Sequence, residues 1–322
     1  MKAAVLKAPS AVPEYSEFAE PLVEEGRELV DLVAAGIHPL VRSLAAGRHY
    51  GSTNSWPLIP GVDAVARSAA NDLIYTGFVQ PPYGTLAERM AVPATMGIPL
   101  PPGAEPVQIA GGLNPGLSSW LPLRARADEI GELGTVLILG VTGMAGSLAL
   151  QNARILGATQ VVGMGRNRAG LQRAATRGAK TVVLSEDLDG DADALIVALN
   201  GSAPSIVLDF LWGVAAEAAF AALSRRGLEE DRANIAYVQI GAMAGPQASL
   251  PAALLRSRRI RISGSGAGSA SIADVMTQIP VYMRLIADHK VDVPIRTYPL
   301  SSISQAWTAS TDGPCRTVIV PG

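Results

Sequence analysis

One stretch constrains this chain more than any other: Val136-Leu137-Ile138-Leu139-Gly140-Val141-Thr142-Gly143-Met144-Ala145-Gly146, continued by Ser147-Leu148-Ala149-Leu150-Gln151-Asn152-Ala153-Arg154-Ile155-Leu156-Gly157. A short continuous apolar run ending in glycine reads as a strand buried on both faces, the kind a parallel sheet requires. Gly140, Gly143 and Gly146 permit a tight turn and let a ligand approach backbone with no Cβ between them. The residues that follow read as an amphipathic helix closed by Gly157. Its leading N–H groups and positive dipole end would face the turn, which suits a pyrophosphate. Thr142, Met144 and Ala145 complete the predicted ligand-contacting set. A second strand, Gln160 to Met164, runs through Gly165 into Arg166-Asn167-Arg168. About twenty residues past the last glycine, an NAD-binding fold places Asp or Glu on the ribose 2′-hydroxyl. Here Arg166 stands there, and a guanidinium favours a 2′-phosphate, so the expected cofactor is NADPH rather than NADH. The glycine spacing is Gly-x-x-Gly-x-x-Gly, so the expectation rests on strand, turn, helix, second strand and terminal arginine together.

The 322 residues suffice for two domains with proper cores, and 48% hydrophobic with 17% charged residues describes a compact globular chain. A net charge of −2 gives no basic field for nucleic acid or an anionic membrane. The single cysteine, Cys315, excludes an internal disulfide framework and a cysteine zinc cluster, and it suits a reducing cytoplasm. The start, Met1-Lys2-Ala3-Ala4-Val5, reads as a strand rather than a signal peptide. Thr135 to Ala153 approaches membrane-spanning length, but its glycines and Gln151-Asn152 argue for strand, turn and helix. The expectation is therefore a cytoplasmic protein with no nucleic-acid or membrane partner.

Up to about Pro99 the pattern is one of short strands and turns, with candidates at Glu28–Ala34, Val62–Ser68, Leu73–Thr76 and Thr85–Val92. From about Gly134 it alternates strand and helix, with strands at Thr135–Leu139, Gln160–Met164, Thr181–Leu184, Ser205–Leu208, Ile235–Ile240 and Arg259–Ser263. That alternation predicts a parallel, doubly wound α/β sheet of the Rossmann type. A long helix follows Ser271 to about His289, and then strand character returns at Pro294–Thr297 and Arg316–Val320. The tail is expected to fold back on the N-terminal part. This gives one mostly β domain from residues 1–115 and 280–322, with a nucleotide-binding domain, residues 116–279, inserted between.

With those elements in order, the chain resembles the medium-chain dehydrogenase/reductase superfamily, in its zinc-free quinone-oxidoreductase-like branch, over essentially its full length. The matching pieces are Met1-Lys2-Ala3-Ala4-Val5, Val33-Ala34-Ala35-Gly36-Ile37-His38-Pro39, Ile59-Pro60-Gly61-Val62-Asp63, Tyr83-Gly84-Thr85-Leu86-Ala87-Glu88, the glycine turn, Gly165-Arg166-Asn167 and Val238-Gln239-Ile240-Gly241. The resemblance implies a GroES-like catalytic domain, NADPH as hydride donor and a dimer paired through edge strands, with Arg259-Ile260-Arg261-Ile262-Ser263 as the candidate edge. Zinc-dependent members carry Cys where this chain has His38, and Gly-His-Glu where it has Gly61-Val62-Asp63. Val62 cannot coordinate a metal, so no catalytic metal is expected.

Without a metal, hydrogen-bond donors must stabilise the charge that develops on an acceptor carbonyl. The segment Gly47-Arg48-His49-Tyr50-Gly51 resembles the place where related enoyl reductases keep a tyrosine, which makes Tyr50 the leading donor, His38 the second and His49 the third. An aromatic wedge between domains with its hydroxyl on solvent is the alternative for Tyr50, a backbone-bonded loop histidine for His38, and plain solvent exposure for His49 and His289. Asn114-Pro115-Gly116-Leu117-Ser118-Ser119-Trp120 matches the family segment that packs beside the nicotinamide. There Ser118 or Ser119 supplies a hydroxyl, or else caps the next helix. Gly241, Gly264 and Gly266 give backbone room at strand ends for the nicotinamide. Asp209 reads as a helix-capping carboxylate, and Arg256 to Arg261 as a solvated rim.

The expected function is thus an NADPH-dependent, zinc-free oxidoreductase that passes hydride to a small electrophile, a quinone or an α,β-unsaturated carbonyl. Reduction of an enoyl thioester, which would need a cationic mouth for the phosphopantetheine, is the near alternative. The departures at His38 and Asp63, where the family often has Asn and Glu, point to a specialised acceptor such as an imine or a biosynthetic intermediate. An NADPH-binding protein with little catalysis is the alternative of another class.

Overall fold

A computed structural model describes residues 1–53, 55–185, 187–225, 234–266, 268–309 and 315–322. In it the chain divides into two units, Met1–Pro115 with Ile279–Gly322, and Gly116–Gln278.

The first unit is built on β1 (Lys2–Val5), β2 (Glu14–Glu17), β3 (Arg27–Ile37), α1 (Pro39–Ala45), β4 (Asp63–Arg67), β5 (Leu73–Gly77), β6 (Arg89–Pro93) and β7 (Ile98–Pro99). Near the end of the chain β14 (Ile295–Pro299), α9 (Ile303–Thr308) and β15 (Arg316–Val320) rejoin it. Its main sheet runs β14-β15-β3-β4-β5-β7, with β6 also on β3. All these pairings are antiparallel except β14 with β15. The last strand meets β3 through Thr317 opposite Ile37. Ala3, Leu6, Val30, Leu32, Leu86, Met90, Ile303 and Ile319 are among the residues filling its core.

The expected strand Thr85–Val92 shrinks to Arg89–Pro93. Its first residues are taken by tertiary bonds instead: the Leu86 N–H donates to the Pro60 carbonyl, and the Thr85 hydroxyl to the Asp63 carbonyl at 3.1 Å. Strand propensity loses there to a turn whose backbone groups already have partners.

The second unit alternates as its sequence periodicity predicts. α2 (Pro106–Ile130) enters it, and there follow β8 (Thr135–Leu139), α3 (Met144–Ile155), β9 (Gln160–Gly165), α4 (Arg168–Thr176), β10 (Lys180–Val183), α5 (Leu188–Leu199), β11 (Ile206–Asp209), α6 (Gly213–Ser224), β12 (Ile235–Gln239), α7 (Ala252–Ser257), β13 (Ile260–Gly264) and α8 (Ile272–Ala287). The sheet order is β10-β9-β8-β11-β12-β13, every pairing parallel. Side chains of β8 alternate between two helical layers: Leu137 and Leu139 join a cluster with α5 and α6, Val136 and Ile138 one with α2, α3 and α4. Burial on both faces explains the unbroken apolar run. Strand order reverses on either side of β8, so the crevice beyond its carboxyl end is the topological switch point of a doubly wound sheet.

Candidate active site

The glycine turn sits at that switch point. Gly140, at φ +97°, turns the chain out of β8, and its N–H and that of Val141 both donate to the Met164 carbonyl, at 2.8 and 3.2 Å. Gly143 is the N-cap of α3 and offers no side chain to its first N–H groups. The leading N–H groups of an α-helix have no acceptor within the helix, so those of Met144, Ala145 and Gly146 are available to an anion. A Cβ on Gly146 would collide with the Gly140 carbonyl oxygen, so only glycine lets α3 start so close to its strand. Thr142 is seated by two more glycines: a Cβ on Gly165 or Gly170 would lie 2.7 Å from its side chain. The role of Gly170 was hidden in the sequence because it lies inside α4.

Arg166 follows the last residue of β9, and Arg168 opens α4; both are exposed. Among the described residues neither guanidinium has an ion-pair or hydrogen-bond partner. Asn167 between them is the N-cap of α4, its Oδ1 accepting the Gly170 N–H at 3.0 Å. It thereby fixes where both arginines leave the strand. At the other carboxyl ends, Gly241 follows β12 with its N–H on the Asp209 carbonyl at 3.1 Å. Gly264 closes β13, and Gly266 donates its N–H to the Ser269 hydroxyl at 2.7 Å.

Ser118 and Ser119 lie inside α2, not at a helix start, so the capping alternative is overturned. Ser119 is fully buried: its hydroxyl donates to the Gly116 carbonyl at 3.2 Å and accepts from Asn152 Nδ2 at 2.9 Å, while Asn152 also reaches the Gly116 carbonyl. These bonds tie α2 to α3, the helix of the glycine turn. In the sequence Asn152 speaks only against a membrane span; a polar residue on the apolar stripe of α3 is also the signal of a buried hydrogen-bond partner.

Tyr50 lies on the loop after α1, 78% exposed, with its ring 3.9 Å from that of His49. His49 is half-buried rather than exposed, and its Nδ1 accepts the Gly51 N–H at 3.1 Å. Burial holds its imidazole below the usual histidine range. His38 precedes Pro39 in extended conformation and is buried. Its partner is a side chain, not backbone: Nε2 lies 3.0 Å from Asp63 Oδ1, and Asp63 Oδ2 accepts the Tyr75 hydroxyl at 2.7 Å. Burial first, then the Asp63 carboxylate, pushes the Tyr75 phenol well above its ordinary range. Arg316, also buried, donates from Nη1 to the Ile37 carbonyl at 3.1 Å; desolvation pushes its guanidinium down to about 10. His289, past the end of α8, is exposed as expected. Among the described residues no group of three or more His, Cys, Asp or Glu is placed to hold a metal ion. No described helix is long and apolar enough to cross a membrane.

Two further expectations change. Asp209 does not cap α6, whose N-cap is Trp212; its Oδ1 accepts the N–H groups of Leu211 and Trp212, each at 2.8 Å. Arg258 is no solvated rim residue: its guanidinium donates to the Leu223 and Arg225 carbonyls at 2.9 and 2.6 Å, closing the end of α6.

No protein-family model matches the chain. A probable NADPH-dependent quinone reductase of Emericella nidulans, tdiC, is 31% identical over 355 aligned positions, covering 97% of each protein. Among solved structures, a mycobacterial quinone oxidoreductase superposes with a TM-score of 0.81 at 18% identity over the whole of both chains. The quinone oxidoreductase of Thermus thermophilus, described also in complex with NADPH, gives 0.77 at 22% identity, over 99% of this chain and 100% of that one. Fold, glycine turn and full-length relative agree: this chain belongs to the quinone-oxidoreductase branch of the medium-chain dehydrogenase/reductase superfamily.

Proposed function

We propose that this protein is an NADPH-dependent, zinc-free oxidoreductase that reduces a quinone or the C=C bond of an α,β-unsaturated carbonyl. The observation that carries this reading is the glycine turn at the end of β8, opening onto an uncapped α3, with Arg166 and Arg168 unpaired among the described residues at the end of β9. These residues fit the dinucleotide, since the absent Cβ of Gly146 lets α3 start against the turn and no side chain caps its first N–H groups. Gly140, Thr142, Gly143, Met144, Ala145 and Gly146 would hold the pyrophosphate. Gly165, Arg166, Asn167 and Arg168 would hold the 2′-phosphate end, and Gly241, Gly264 and Gly266 would leave room for the nicotinamide. Bound NADPH supplies the hydride.

The protein's own part is to hold the acceptor and supply a donor to the oxygen on which charge develops. The Tyr50 hydroxyl is the group we assign to that oxygen and to the proton that follows. His38, held by Asp63, stands behind it as second donor, and Ser118 on α2 as a positioning hydroxyl. Val62 occupies the place where zinc-dependent relatives keep a histidine ligand, so prolonged chelation should leave activity intact. Loss on chelation with recovery on added zinc would overturn the zinc-free reading. We also place the protein in the cytoplasm as a homodimer paired through the edge strand β13. Sedimentation at micromolar concentration should give the dimer mass, and a monomer would count against it.

Steady-state NADPH oxidation with a panel of quinones and enones tests the reaction. Turnover on neither class, with tight NADPH binding, would replace it with a binding role. Arg166→Ala should weaken NADPH by about ten- to a hundredfold, on the order of 1.5–3 kcal/mol, and NADH far less. Equal losses would remove the 2′-phosphate assignment. Tyr50→Phe should slow enone reduction by about a hundred- to ten-thousandfold while sparing quinones, whose reduced oxygens take protons from water. No loss on either class would move the role to His38.

A further inference from the structure

Asp209 ends β11 with none of its surface exposed, and the proposed reaction gives it no role. Both its carboxylate oxygens are engaged. Oδ2 accepts the Tyr237 hydroxyl at 2.6 Å, and Oδ1 accepts the Leu211 and Trp212 N–H groups. Its own carbonyl accepts the N–H groups of Ile240 and Gly241, at 2.7 and 3.1 Å, in the loop after β12. The held loop reaches the same neighbour, since the Leu211 carbonyl accepts the Ala244 N–H at 2.7 Å. It also lies against the glycine turn: a Cβ on Gly140 would sit 3.2 Å from the Leu211 side chain and 3.3 Å from Phe210 Cβ. A Cβ on Gly241 would sit 2.8 Å from the Phe210 carbonyl oxygen.

Trp212 shows that the loop is held rather than relaxed. Its φ of +55° with ψ of −157° is a backbone state that an L-residue rarely adopts, and it persists only where surroundings impose it. Here these are the Asp209 carboxylate on its N–H and edge-to-face ring contacts to Phe220 and Tyr237, at 5.9 and 6.4 Å. Removing the carboxylate frees the constraint that fixes where Phe210 and Leu211 lie beside Gly140.

We infer that Asp209 is a positioning residue for the dinucleotide site, holding the Phe210–Trp212 loop in register with Gly140 on one side and Gly241 on the other. The inference rests on the cofactor reading given above. It makes the affinity for NADPH depend on a carboxylate whose own hydrogen bonds go to Leu211, Trp212 and Tyr237.

The test is a fluorescence titration with NADPH, paired with steady-state kinetics on a quinone. Asp209→Ala should raise the Kd and KM for NADPH by about tenfold, with kcat at saturating NADPH within about twofold of native. Asp209→Asn keeps an acceptor oxygen for the two N–H groups and should bind within about threefold of native. A purely structural defect would lower active-protein yield and kcat without this split. Should Asp209→Ala not fold, amide exchange on the native protein decides: NADPH should slow Leu211, Trp212 and Ala244 together, and unchanged rates there would overturn the inference. Native protein that binds no NADPH overturns the cofactor reading itself. Native protein that binds it, with Asp209→Ala binding equally well, overturns only the role of Asp209.

Discussion

Each unit buries one aspartate against one tyrosine, and the two pairs are satisfied in opposite ways. Tyr75 donates to Asp63 at 2.7 Å and Tyr237 to Asp209 at 2.6 Å. The second oxygen of Asp209 takes two peptide N–H groups from residues two and three positions on, so that carboxylate is completed by its own stretch of chain. The second oxygen of Asp63 takes the imidazole of His38, from the far end of β3, while the buried Arg316 of β15 adds positive charge nearby. A carboxylate completed locally organises a loop. One completed by side chains from distant strands ties those strands together, and it cannot release its partners to water without opening the sheet. The burial of Asp209 pushes its carboxyl up, opposed by the Tyr237, Trp212 and Leu211 bonds.

The sharpest way to break this comparison is to remove both carboxylates. Asp63→Ala should destabilise its unit by about 3–5 kcal/mol, because Tyr75, His38 and Arg316 all lose their acceptor or counter-charge in a buried place. Asp209→Ala should cost about 2 kcal/mol: it orphans the buried Tyr237 hydroxyl, but its two freed N–H groups are only part-buried and no charged partner is stranded. Urea unfolding followed by a probe in each unit would measure both, and equal costs would erase the distinction. Tyrosine hydroxyls give a finer cut. Tyr75→Phe should cost about 2 kcal/mol and Tyr237→Phe about half that, because Asp209 keeps two further donors and Asp63 keeps one.

The alkaline limb of stability carries the last test, and it is silent at neutral pH. Burial, reinforced by the neighbouring carboxylate, raises both phenols well above 10. The unfolded chain releases these protons near pH 10 while the folded chain keeps them. Their contribution is therefore complete below pH 10 and lost as pH rises toward the folded values, at about 1.4 kcal/mol per pH unit for each tyrosine. Tyr75→Phe or Tyr237→Phe should each flatten that limb by one tyrosine's share, and unchanged slopes would mean that the phenols titrate alike in both states.

The parallel sheet was legible because its strands are buried on both faces, and a short apolar run such as Val136 to Leu139, closed by a glycine and followed by a helical period, reads as such a strand. The glycine turn was legible for a related reason: Gly140 adopts a positive φ that other residues avoid, and at Gly146 any side chain would meet backbone. Asp209 was half legible. A carboxylate at a strand end before a helix announces a local acceptor, but only the structure moves its bonds from the helix cap to the turn before it.

The sequence by itself determined what depends on neighbours in the chain: strand and helix period, the turn, the uncapped start of α3 and the arginine that follows β9. Tertiary structure alone decided what depends on residues far apart. It joined His38, Asp63, Tyr75 and Arg316 into one buried cluster, closed Asn152 onto Ser119 and Gly116, and set the Phe210–Trp212 loop against Gly140. The physical reason is the demand that every buried polar group find a partner. A short stretch can declare that demand, but only the packing of distant elements determines which group meets it.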